Sequence, residues 1–108
     1  MTDIEFEQVI IKTIYANPEV SGKIIPELDT NWFINVDHKY IVNAILEYNS
    51  KFSAVPNAIE VKRLLSDERT VKEFEICMSI PDEDVNTPYI LDEIQTDIKI
   101  RIMKNIKK

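Results

Sequence analysis

This chain has one glycine, one cysteine, one histidine and one tryptophan in 108 residues. Each scarcity excludes something. A single glycine, Gly22, cannot supply the turns of a hairpin-rich β fold, nor a phosphate-cradling loop. There is no G-x-x-x-x-G-K-[ST] and no G-x-S-x-G, so nucleotide hydrolysis and serine-hydrolase chemistry are not expected of this chain alone. One cysteine, Cys77, allows no internal disulfide, and with a single histidine it leaves too few soft ligands for a four-cornered zinc site. No metal, cofactor or catalytic residue is therefore expected. There is no charged-then-apolar leader and no apolar run of membrane-spanning length. The expected setting is a reducing cytoplasm, that of the host cell if the chain is phage-encoded, without membrane contact.

What is present is an ordinary apolar fraction of 44% and a net charge of −6. That balance suits a globular domain and not a disordered one. It is also unfavourable for non-specific nucleic-acid binding, which depends on cations displacing phosphate counterions. The charge is uneven: residues 97–108 carry +4, leaving −10 on residues 1–96. The basic end has two readings, a helix C-terminus favoured by the helix dipole or a junction with an acidic partner or following segment. The sequence stops inside a helical pattern, and we expect a domain cut from a longer chain.

The pattern predicts an all-α fold, a compact bundle of about six helices with a long last one. The first helix is expected over 3–16, with Thr2 and Glu5 at capping-box spacing and Phe6, Val9, Ile10, Thr13 and Ile14 on one face. Asn17-Pro18 starts a second, short helix over 18–25, stopped by Pro26. Leu28 to Asn31 forms a turn leading to Trp32-Phe33. A third helix over 37–49 is expected to bury Tyr40, Ile41, Ala44, Ile45 and Tyr48. Asn57 and Glu60 cap a fourth over 58–66, with Ile59, Val61, Leu64 and Leu65 apolar. Thr70 and Glu73 repeat that signature for a fifth over 71–79. The chain reads as one domain: a body over 1–80, an acidic connector over 81–87 and a long helix over 88–108, opened by Thr87-Pro88.

The carboxylate pairs Asp82/Asp84 and Asp92/Glu93 read as solvated charge. Cys77 reads as a small buried apolar residue. Trp32-Phe33 reads as a core anchor, with an exposed docking anchor as the alternative. His38, in the first turn of the third helix, reads as a structural residue whose replacement by alanine costs about 1 kcal/mol through a lost hydrogen bond.

Several of these segments together resemble the N-terminal domain of DnaB-type hexameric replicative helicases. Glu7-Gln8-Val9-Ile10 matches the acidic-Gln opening of the family's first helix, and Asn17-Pro18-Glu19 its short second helix start. Phe33, His38 and Ile41 match a Phe, a His five residues on and an Ile three further. Val55 to Val61 matches the loop and helix that follow. Ser79 to Asp84 and the helix over 89–103 match the acidic proline connector and long helix of the version carried by large tailed bacteriophages. Bacterial members place small residues where this chain has Ile10-Ile11-Lys12-Thr13, and Val-Asp where it has Val55-Pro56-Asn57, so the phage version fits better.

The resemblance implies a non-catalytic collar domain of the primosome in DNA replication. Its role would be hexamer assembly and docking of primase or a helicase loader. Final helices of this family pair between subunits as hairpins, implying self-association as a dimer or ring. The residues agree physically. Ile90, Ile94, Ile98, Ile102 and Ile106 recur every four positions, so the row drifts around the helix. A helix of about 20 residues is about 30 Å long, whereas a body of about 80 residues has a radius of gyration of about 12 Å. Ile94, Ile98 and Ile102, rimmed by Lys99, Arg101 and Lys104, are therefore expected to form a self-association or partner surface. The alternative is a helix folded back over the core. Two other functions stay open: a free-standing helicase-binding loader or inhibitor, and a small helical DNA-binding module reading with Asn57 to Leu65. Strong direct nucleic-acid binding is not expected.

Overall fold

The structure is a computed structural model, and it describes residues 3–16, 18–85, 88–90, 92, 93 and 96. The fold is all-α, with no strand among the described residues. Its α-helices are α1 (Asp3–Ala16), α2 (Pro18–Ile24), α3 (Val36–Phe52), α4 (Ala58–Leu64) and α5 (Glu68–Met78). Short 3-10 turns lie at Ile25–Glu27, Thr30–Trp32 and Asp82–Asp84. Residues 88–90, 92, 93 and 96 are also helical, where the long last helix is expected to begin.

α1 is the central element. Phe6, Val9, Ile10, Thr13 and Ile14 are buried as the periodicity predicts, but so are Ile11 and Glu7. The helix is therefore apolar around most of its circumference and packs against α2, α3 and α5 at once. Trp32 and Phe33 are core residues, at 5% and 1% exposure. Trp32 meets Phe6 and Phe33 edge to face, at centroid separations of 6.4 and 4.7 Å. Ile90, in the described segment 88–90, is 2% exposed and belongs to the same core. Ile94, Ile98, Ile102, Lys99, Arg101 and Lys104 lie outside the described residues, as do the expected caps Thr2 and Asn17.

Several boundaries differ from the sequence reading, each for a local reason. α2 ends at Ile24, and Pro26 sits inside the 3-10 turn that follows. α3 starts at Val36 because Asn35 is its cap, its side chain accepting from the His38 amide. It runs on to Phe52 because its stop is Ser53 at φ 52°, a left-handed position usually marked by Gly or Asn. Its buried stripe is His38, Ile41, Val42, Ala44 and Ile45; Tyr40 is 55% exposed, and Tyr48 is half-buried. Tyr48 instead lays its hydroxyl on Glu60 at 2.7 Å, tying α3 to α4.

In α4 the Asn57–Glu60 capping box forms, but the helix ends at Leu64, and Ile59 and Leu64 face solvent. α5 begins earlier than expected, at Glu68, with Asp67 as cap. Thr70 and Glu73 do not form a capping box. Both lie inside the helix and are used for contacts with α3.

Candidate functional site

The unusual feature of this core is a charged residue at its centre. Glu7 and His38 are both completely buried. Glu7 occupies the apolar face of α1, between Phe6 and Ile10 and one turn before Ile11. A carboxylate there must be paired or neutralised. α3 supplies the partner: His38 Nδ1–H donates to Glu7 Oε1 at 2.8 Å. The other ring nitrogen faces α5, where Nε2–H donates to Glu73 Oε2 at 2.7 Å. One imidazole thus joins α1, α3 and α5.

The segment before α3 closes the arrangement. The amides of Ile34 and Asn35 donate to Glu7 at 2.8 and 3.3 Å. Both follow Phe33, so its insertion into the core and the presentation of these amides are one local event. Gln8, beside Glu7 on α1, donates its amide to Glu73 Oε2 at 2.8 Å. Next to this cluster, Thr70 donates its hydroxyl to Asp37 Oδ1 at 2.8 Å, and Arg69 pairs with the same oxygen at 3.3 Å. Both lie between the α3 and α5 N-terminal turns. Lys12, one turn along α1, pairs with Asp82 at 3.0 Å and donates to the Met78 carbonyl at 3.3 Å.

These contacts set the protonation states. Burial works against a charged His38. The hydrogen bonds to Glu7 and Glu73, and their charges, outweigh it and raise its pKa above the ordinary 6.5. For Glu7, burial likewise favours the neutral acid. The His38 hydrogen bond, the Ile34 and Asn35 amides and the imidazolium charge overcome it, so its pKa is lowered from 4.5. The site is a carboxylate–imidazolium–carboxylate bridge. Cys77, one turn beyond Glu73 on α5, is also buried, and burial together with the Glu73 charge pushes its thiol up to about 12. His38 Nε2, a Glu73 oxygen and Cys77 Sγ all lie within 4.8 Å of one another.

The pH dependence has a definite sign. A raised His38 pKa contributes stability that is complete below 6.5 and is lost as pH rises through the folded value. A lowered Glu7 pKa contributes stability that is complete above 4.5 and is lost as pH falls through its folded value. Between those two ordinary values both contributions are present. Denaturant midpoints of the chelator-treated chain should therefore fall on the alkaline side. His38→Gln should flatten that alkaline limb.

Phe33, His38 and Ile41 are all buried, and Phe33 and Ile41 belong to the apolar core. The sequence marks His38 as structural without pointing to its carboxylate partners, Glu7 and Glu73. The available signal was Glu7 on an apolar helical face. Compared with known proteins, the chain matches no family model, no curated protein and no solved structure.

Proposed function

We propose that this chain is the non-catalytic collar domain of a DnaB-type replicative helicase of the phage kind. In that role it assembles subunits and docks primase or a helicase loader in the cytoplasm. The observation that carries this reading is the meeting of its resemblance-bearing residues. Glu7 on α1 and Phe33, His38 and Ile41 in and before α3 come from separate motifs, yet they occupy one buried unit. No helix of the described residues is long and apolar enough to cross a membrane. Exposed Ile34, Val36, Tyr40, Phe52, Ile59 and Leu64 provide apolar surface for docking. A DNA reader fits less well. α4 carries just Lys62 and Arg63 as cations, and residues 1–96 carry a charge of −10.

Two measurements test the proposal. The reading frame beyond codon 108 should encode a Walker phosphate loop; a stop codon there would favour a free-standing helicase-binding protein. Sedimentation of the 108-residue chain should show self-association that weakens with salt. Ile98→Asp should dissociate those oligomers and leave the thermal melt close to that of the parent. A parent that stays monomeric at high micromolar concentration would remove self-association. Loss of the folded state in Ile98→Asp, with no separate change in association, would favour the folded-back helix.

A further inference from the structure

We propose that His38, Glu73 and Cys77 form a binding site for one divalent transition-metal ion of the zinc class, independently of the collar role. The three side chains offer a nitrogen, an oxygen and a sulfur within 4.8 Å of one another. Glu73 and Cys77 are four residues apart on α5 and so share a face; His38 reaches them from α3. Two further features separate this cluster from a casual grouping.

The first is the orientation of the histidine. A metal-bound imidazole ordinarily donates its other ring N–H to a carboxylate, which fixes the tautomer and raises the basicity of the ligating nitrogen. Buried Glu7 does this to Nδ1 at 2.8 Å, leaving Nε2 directed at Glu73. Glu7 is held in turn by the Ile34 and Asn35 amides, so this support is rigid.

The second is charge. Metal ligands bind deprotonated, so binding M²⁺ releases the Nε2 proton and the thiol proton to solvent. Neutral imidazole, thiolate, the Glu7 and Glu73 carboxylates and M²⁺ then sum to −1, so the dication is balanced by the anionic groups around it.

The geometric adjustment can be stated pair by pair. Tetrahedral coordination with Zn–N and Zn–O near 2.0 Å and Zn–S near 2.3 Å puts N and O about 3.3 Å apart and S and O about 3.5 Å apart. His38 Nε2 and Glu73 Oε2 are now 2.7 Å apart, and Cys77 Sγ and Glu73 Oε2 are 4.0 Å apart. Shifts of about half an ångström in opposite senses suit these two pairs, and His38 and Cys77, whose ligand atoms lie within 4.8 Å, must close to about 3.5 Å. The Glu73 side chain retains 17% exposure, giving the ion an approach and the fourth position a water. Nitrogen and sulfur donors select Zn²⁺ or Co²⁺ over Mg²⁺ or Ca²⁺.

The test is titration of the chelator-treated 108-residue chain with Co²⁺, followed by displacement with Zn²⁺. One equivalent of Co²⁺ should give a thiolate-to-cobalt charge-transfer band and tetrahedral d–d bands, and Zn²⁺ should abolish both. Cys77→Ala should lose the charge-transfer band while keeping its helical circular dichroism. Glu7→Gln, if its melt shows that it folds, should bind about 10–100-fold more weakly. Absence of the charge-transfer band in the folded parent, or its persistence in Cys77→Ala, would overturn the proposal. In the first case the cluster is a proton-bridged clamp alone.

Discussion

His38→Ala is expected to destabilise the chain by about 3–5 kcal/mol, the usual consequence of removing one partner from a buried ion pair. The reason is what the substitution leaves behind. Glu7, with no exposed surface, keeps its two backbone donors but loses the cation that balances its charge. Glu73 loses the bond that joins α5 to α3 at the core. A total stability of about 5–15 kcal/mol is typical of such domains, so the loss would be a large fraction of the whole. This is several times the effect expected from the sequence alone, which counted one hydrogen bond at a helix start. Urea or guanidinium unfolding of parent and variant would measure it. A difference near 1 kcal/mol would return His38 to the role of an ordinary cap residue. Glu7→Leu is no remedy, because it also strips the Ile34 and Asn35 amides of their acceptor.

The second large effect belongs to Phe33→Ala, which should cost about 3–5 kcal/mol. Phe33 is 1% exposed and lies edge to face against Trp32, which in turn meets Phe6 of α1. Removing the ring leaves a cavity under the start of α3. The amides that hold Glu7 follow directly after Phe33, so relaxation into that cavity would disturb the buried bridge too. The two losses should therefore be non-additive, and the double variant His38→Ala/Phe33→Ala should cost less than their sum. Strict additivity would mean that the aromatic cluster and the bridge are separate structures. If Phe33→Ala melts like the parent yet loses partner binding, the residue is a docking anchor instead.

Much of the fold is legible in the sequence because local signals and tertiary packing agree there. α1 begins and ends within the expected bounds, and the Asn57–Glu60 box caps α4. Where the two disagree, tertiary contacts prevail. Thr70 and Glu73 have the spacing of a capping box, but Asp37 and His38 offer them partners across the α3–α5 interface. Tyr40 has the period of a buried residue, yet α3 turns His38, Ile41, Val42 and Ile45 inward, and that leaves Tyr40 in solvent. The site was half legible. A lone histidine at a helix start gives no hint of its partners, which are 31 and 35 residues away. The stronger clue was Glu7 among Phe6, Ile10 and Ile11. A carboxylate on a face that must be buried predicts a cation, and the sequence contains one histidine to supply it close to neutral pH. Glu73 gives a fainter clue of the same kind, beside the buried run of Thr70, Phe74 and Cys77.

The core of this domain is organised by a doubly hydrogen-bonded, charged His38. That state has a direct spectroscopic signature in the nitrogen and proton shifts of the imidazole ring. Nuclear magnetic resonance of chelator-treated, ¹⁵N-labelled chain should show both ring nitrogens protonated above pH 6.5, the ordinary histidine value. Both N–H protons should be visible and slow to exchange. A neutral ring with one bare nitrogen, titrating at or below that ordinary value, would contradict the bridge and the account built on it.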